Sequence, residues 1–110
     1  MECIFCKIIN HQQDADIIYE DEKFIAFRDI NPKALIHFLI VPKKHIETIN
    51  DLKEEDRELI SGIIFLAKKL AIEQGIAEKG YRLTFNVGRG GGQVVDHVHL
   101  HLMSGELKND

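Results

Sequence analysis

From His97 to Met103 the chain reads His-Val-His-Leu-His-Leu-Met, with an imidazole at every second position and an apolar side chain between. Strict alternation has the two-residue period of a β-strand, whereas a helix would scatter the rings around its cylinder. A strand sends His97, His99 and His101 to one face and Val98, Leu100 and Leu102 to the other. Successive rings on that face then lie about 6.8 Å apart at Cα, at roughly 3.4 Å per residue, so neighbours can cooperate on one group while the outer pair cannot do identical jobs. A purely structural account would line up three titratable rings without purpose, and such groups concentrate at functional sites. His11, in the polar stretch from Asn10 to Asp14, reads as an ordinary surface residue.

The segments around this strand supply its sheet. Ile17-Ile18-Tyr19 and Phe24-Ile25-Ala26-Phe27 are β-rich runs separated by the polar turn Glu20-Asp21-Glu22-Lys23, so an antiparallel hairpin is expected. His37 to Val41 forms a further strand ending at Pro42, Tyr81 to Val87 another, and Val94 to Met103 the last. Ile4, Phe5, Ile8 and Ile9 recur at helical spacing and predict a short helix of about two turns. A long helix is expected from about Lys53 to Gln74, with Leu59, Ile60, Ile63, Ile64, Ala67, Leu70 and Ala71 as one apolar stripe. Asp51 with Glu54 resembles a capping box at its start, and Gly75 suits the left-handed position at its end. Five strands, one long helix and one short one, without repeating strand-helix-strand alternation, predict an α+β fold on a mostly antiparallel sheet. At 110 residues, positions 1–110 are expected to form a single domain.

Charge and composition remove several classes of function. Fourteen basic against eighteen acidic residues give a formal charge of -4, and nucleic-acid binding is not expected because it needs a basic stripe. No leader-like segment opens the sequence and no apolar run approaches the ~20 residues of a membrane helix, which predicts a cytoplasmic protein without a membrane partner. The two cysteines sit together as Cys3-x-x-Cys6, unlike a secreted disulfide framework. At i, i+3 on a helical turn they are half of a tetrahedral zinc site, or else two small buried apolar residues.

Two chemistries fit the histidine strand. Three imidazoles can hold a zinc ion with an open position that activates water. Alternatively, a neutral imidazole attacks phosphorus and forms a covalent intermediate. The loop Gly88-Arg89-Gly90-Gly91-Gly92 before the strand favours the second, because its backbone N–H groups can approach an anion closely. Asn86 and Gln93 flank it with uncharged donors.

The string HVHLHLM resembles the histidine-triad signature, and LTFNVGRGGGQVVDHVHLHLM looks like the Hint branch of the histidine triad (HIT) superfamily. IFCKII, YEDEKFIAFRDINP and HFLIVPKKHI extend the similarity over all but the last few residues. The resemblance implies a HIT-like fold whose sheet continues across a homodimer, joined through the long helix and the strand Arg82 to Val87. It implies a nucleotide hydrolase that cleaves purine nucleoside phosphoramidates, and in some members acyl-adenylates. By that similarity His99 is the nucleophile forming a nucleotidyl-histidine, His101 contacts the phosphate or leaving atom, and His37 stands behind as a hydrogen-bond relay. Asn86, Gln93, His99 and His101 would hold the phosphate. Asp29 would take the ribose hydroxyls, and Ile4, Phe5, Ile8, Phe27 and Ile30 would wall the base. Where the branch keeps the CxxC, its zinc ligands match Cys3, Cys6, His45 and His97, a closed structural site; no organic cofactor is implied.

At one position the sequence departs from the branch. Many Hint proteins carry a serine three residues before the first triad histidine, where it helps protonate the departing amine, and here that position is Val94. The sequence also ends soon after Met103-Ser104-Gly105, leaving amine-side specificity open. Three alternatives therefore stand beside phosphoramidate hydrolysis. They are hydrolysis of dinucleoside polyphosphates, a nucleotide-binding regulatory or scaffold role with weak catalysis, and an open catalytic zinc centre.

Overall fold

In the computed structural model, which describes residues 3–105, the alternating patterns of the sequence become five strands in one sheet. They are β1 (Ile17–Glu20), β2 (Phe24–Arg28), β3 (Ile36–Pro42), β4 (Arg82–Thr84) and β5 (Leu100–Ser104). Their order across the sheet is β1-β2-β3-β5-β4, and every neighbouring pair is antiparallel. The β1–β2 hairpin closes as expected on its polar turn. Asp21 Oδ1 accepts hydrogen bonds from the backbone N–H groups of Lys23 and Phe24 at 2.7 and 2.8 Å, tying off a turn that would otherwise leave both donors unpaired.

The two faces of the sheet are covered unequally. On one, α2 (Arg57–Glu73) buries Ile63, Leu66, Ala67, Leu70 and Ala71 against Phe24, Ala26, Phe38, Ile40, Leu100 and Leu102. Burying a side chain such as Phe38 or Leu102 completely stabilises the fold by roughly 1.5–3 kcal/mol. On the other face the short α1 (Ile4–Ile9) buries Phe5 and Ile8, with Ile9 partly buried beside them, against Ile25, Phe27, Leu39 and Val41. A six-residue helix cannot roof five strands, so the β5–β4 side of this face stays open.

Several boundaries differ from those expected. The long helix begins at Arg57, because the acids ahead of it fold back on the chain in two 3-10 turns, Ile49–Asp51 and Glu54–Asp56. The capping box pairs Thr48 with Asp51 instead of Asp51 with Glu54. The nearly buried carboxylate of Asp56 takes the Lys53 N–H at 2.9 Å and the Lys44 ammonium at 2.6 Å. Leu66 joins the buried stripe while Ile64 is 40% exposed. At its end Gly75 takes φ +73°, the left-handed conformation expected there. β4 stops at Thr84, short of Val87, and β5 starts at Leu100, six residues after Val94. Before Leu100 the backbone bonds elsewhere, His97 N–H to the Val95 carbonyl at 2.9 Å and Val98 N–H to the Ile46 carbonyl at 2.7 Å. No helix among the described residues is long and apolar enough to cross a membrane.

Candidate active site

The triad histidines enter the sheet from this approach segment and divide into two groups. His99 and His101 face each other with ring centroids 5.0 Å apart, whereas His97 turns to His45, 4.8 Å away. Register places the first group on the open face. His101 pairs with Leu39 on one side and Thr84 on the other, and His37 pairs with Met103, so all sit on the floor beside α1.

Hydrogen bonding assigns the protons on these rings. His99 Nδ1 lies 2.7 Å from the His97 carbonyl, an acceptor only, so Nδ1 carries the hydrogen and Nε2 keeps its lone pair. His37 Nδ1 accepts from the Lys33 backbone N–H at 3.0 Å, which puts the hydrogen on Nε2. That hydrogen points to His101 Nδ1 at 2.9 Å, so His101 carries its own on Nε2. Asn86 reaches His101 Nε2 at 3.4 Å, and with a donor there its amide oxygen is the matching atom. The result is a neutral cluster with one free lone pair, on His99, and one N–H, on His101, side by side.

Burial keeps the rings uncharged. It pushes the pKa of His99 down, with the bond to the His97 carbonyl and the charge of Asp29 opposing it. His101 is pushed down to about 4, first by burial and then by the neighbouring rings of His99 and His37. His37 is lowered by burial as well, and the Asp29 carboxylate 3.5 Å from its Nε2 works the other way.

A cavity of about 710 Å³ opens over this cluster. Ile4, Phe5, Ile8 and Phe27 wall it on the α1 side, with Asp29 and the 88% exposed Ile30 at its lip. Phe5 meets Phe27 and His99 edge-on, with centroids 5.6 and 4.9 Å away, so the short helix touches both the apolar wall and the candidate nucleophile. Asp29 is held in place by the Asn31 N–H on Oδ1 at 2.8 Å. Asn86, His99 and His101 line the cavity, and so does Val94, 80% exposed. His11 lies apart, paired with Glu20 at 3.2 Å.

Gln93 is not brought to this cavity. Its side chain is 1% exposed and all its polar groups are used internally. Oε1 accepts from the Gly88 N–H at 2.9 Å, and Nε2 donates to the Glu47 and Val95 carbonyls at 2.7 and 2.9 Å. It therefore clamps the glycine loop, where Gly92 takes the left-handed φ of +87° that closes the turn, with no donor left for a phosphate. Two lining cations carry no sequence motif, Lys33 and Arg82. For Arg82 the available signal was the two-residue period running back from Asn86 through Thr84.

Cys3, Cys6, His45 and His97 converge on a separate point, with one donor atom from each lying within 4.8 Å of the others. The Nδ1 atoms of His45 and His97 are 3.1 Å apart. The four sulfur-to-nitrogen distances are 3.8 and 3.4 Å from Cys3 and 3.2 and 3.6 Å from Cys6. A tetrahedral zinc site has edges of about 3.3 Å between nitrogens and about 3.6 Å between sulfur and nitrogen, from its bond lengths of roughly 2.0–2.3 Å. The donor set thus fits that ion, and four protein ligands close it. His97 Nε2–H donates to the Pro42 carbonyl at 2.8 Å, leaving Nδ1 as the ligating atom.

Comparison with known proteins agrees with this architecture. The family described as "Scavenger mRNA decapping enzyme C-term binding" matches residues 2–110. A purine nucleoside phosphoramidase of Escherichia coli strain K12 is 47% identical over 104 residues, 94% of this chain and 87% of the relative. The crystal structure of a HIT family hydrolase from Legionella pneumophila superposes with a TM-score of 0.94 at 53% identity, covering 96% of this chain and 94% of the other. A zinc-bound histidine triad family protein from Mycobacterium smegmatis superposes with a TM-score of 0.81 at 32% identity, covering 96% and 76%.

Proposed function

The chain belongs to the histidine triad superfamily, and from that premise we propose that it is a Hint-like hydrolase of purine nucleoside phosphoramidates, with nucleoside 5′-monophosphate joined through nitrogen to an amine. The observation that carries this reading is His99, neutral, hydrogen-bonded through Nδ1 to the His97 carbonyl and left with a lone pair on Nε2 in the cavity. The base packs against Ile4, Phe5, Ile8 and Phe27, with Ile30 at the lip, and Asp29 accepts from the ribose hydroxyls, an arrangement suited to a cis-diol.

In the first step His99 Nε2 bonds to the α-phosphorus and the phosphorus–nitrogen bond of the substrate breaks, its electron pair going to the amine. The amine nitrogen takes its proton from solvent, since Val94 offers none. The nucleotidyl-imidazolium keeps its Nδ1–H on the His97 carbonyl, which disperses the new positive charge. His101 Nε2–H and the Asn86 amide hold the phosphoryl oxygens, while His37 fixes the tautomer of His101. In the second step water oxygen bonds to phosphorus, its proton passes to solvent, and the pair returns to His99 Nε2 as AMP or GMP leaves.

Zinc, when bound by Cys3, Cys6, His45 and His97, supplies a structural tie between α1 and the sheet. The grouping of Cys3 and Cys6 with two histidines suits a cytoplasmic setting, where thiols stay reduced. The functional unit is a single 1–110 domain paired as a homodimer. The reaction is tested by mixing protein with adenosine 5′-phosphoramidate. Wild type should release AMP and, on rapid quenching, carry one adenylyl group, whereas His99→Ala should lose roughly 10⁴-fold or more of kcat, as expected when a nucleophile is removed. Equal turnover by the variant overturns the mechanism.

A further inference from the structure

The order of the strands gives the cavity a direction. Phe27 pairs with Leu39, Leu39 with His101 and His101 with Thr84, a line across β2, β3, β5 and β4 that spans about 14 Å at roughly 4.8 Å per strand. With the nucleoside over Phe27 and the phosphorus over His99 and His101, whatever is attached to the phosphorus extends over β4. There the floor changes character. Thr84 is followed on the same face by Arg82, which pairs with Met103, and His37 lies on the other side of Met103. Lys33, in the β2–β3 connection, lines the cavity from the His37 side of the same row.

Three cations line the cavity, and of these Arg28 is paired with an acid while Lys33 and Arg82 are not. Arg28 pairs with Asp16 at 2.9 Å, Arg89 with Asp96 at 2.9 Å, Lys43 with Glu20 at 2.8 Å and Lys44 with Asp56 at 2.6 Å. Among the described residues neither Lys33 nor Arg82 has an acidic partner, although both line the cavity. The Lys33 backbone N–H bonds His37 Nδ1 at 3.0 Å, which sets this residue beside the His37–His101 pair. Two unpaired cations in a cavity lined mainly by neutral groups form a subsite for an anion.

We propose that Arg82 and Lys33 select substrates whose leaving amine carries an anionic group, a carboxylate or a phosphate, held over β4 while His99 attacks the phosphorus. This rests on the phosphoramidase reading, and the chemistry at phosphorus is unchanged. Selectivity is measured as the ratio of kcat/KM for two matched substrates. In one arm they are the adenosine 5′-phosphoramidates of glycine and of glycinamide, and in the other those of 2-aminoethyl phosphate and of ethanolamine. Wild type should favour the charged member by about tenfold in at least one arm, the scale of a charge-assisted contact near solvent, and the larger arm identifies the anion. Added salt should reduce that preference, and Arg82→Gln with Lys33→Gln should bring it to about one. A general loss of activity cancels in the ratio, and the salt dependence of wild type needs no variant. Equal rates for charged and neutral members in both arms, or a preference that survives salt and the double substitution, overturns the proposal. Failure to hydrolyse unsubstituted adenosine phosphoramidate would instead defeat the phosphoramidase reading itself.

Discussion

His101 shows how one ring can be made useful by what is behind it. Its Nδ1 accepts from His37, whose own tautomer is set by a backbone N–H of Lys33, so three hydrogen-bonding groups in series decide that His101 presents N–H to the cavity. Protonation of His101 would place a second hydrogen between it and His37 and break that chain. Burial opposes such charging, holding the pKa at about 4 against the ordinary 6.5. The direction of the pH effect follows. Because the folded value lies below the unfolded one, the unfolded chain binds more protons as pH falls under 6.5, so stability declines from about 6.5 down to about 4 and levels below. Activity, which needs the neutral ring, should persist through the pH range where free imidazole protonates. A kcat/KM profile with adenosine phosphoramidate should therefore show its acidic limb well below 6.5, and a midpoint at 6.5 or above would contradict the assignment of neutral buried rings.

At the scale of elements, α1 matters more than its six residues imply. Its N-terminal turn carries Cys3 and Cys6, its buried side places Phe5 against His99, and Ile4 and Ile8 form part of the cavity wall. Two of the candidate metal ligands and part of the wall thus share one short helix and its cap, which by length alone is too short to be stable in isolation. Removing zinc with a chelator, or Cys6→Ser, should loosen α1 and weaken AMP binding by about tenfold, the lower end of what disturbed metal shells cost. Calorimetric titration with AMP checks this, and unchanged affinity in protein shown to be free of zinc would count against it. Much of this arrangement was legible in the sequence, for definite reasons. Period two at His97–Met103 and the stripe of α2 are local patterns, and CxxC fixes a spacing. What was not legible depended on contacts distant in sequence. The division of His97 from His99 came through the resemblance and not from the strand pattern, since it rests on His45, 52 residues earlier, whereas the internal use of Gln93 was missed because it follows from the Glu47 carbonyl, 46 residues away. The start of β5 at Leu100 is set by the Ile46 carbonyl drawing off Val98, which no pattern within the strand encodes.

Two surfaces among the described residues suit pairing with a second copy of the chain. β4 pairs with β5 on one side only, so its other edge presents unpaired backbone groups, the feature by which sheets extend from one chain to another. α2 exposes apolar side chains on the side away from the core, the neighbours Ile64 at 40% and Phe65 at 67% and, about two turns on, Ile72 at 58%. A small domain gains from covering such area, and a two-fold pairing is self-complementary, meeting like with like along both the strand and the helix. Homodimerisation would also bear on the cavity, because β4 carries Arg82 and Thr84 and is only three residues long. Pairing along its free edge would hold those side chains in register with His101, whereas a monomer would leave the strand free to fray. Light scattering should accordingly give twice the 12.6 kDa mass of the chain. Phe65→Glu, which places a charge on the exposed side of α2 without touching the core, should shift the equilibrium to monomer and make the melting temperature of wild type, but not of the variant, depend on protein concentration. A wild-type mass of 12.6 kDa at micromolar concentration would remove the pairing and with it this support for β4.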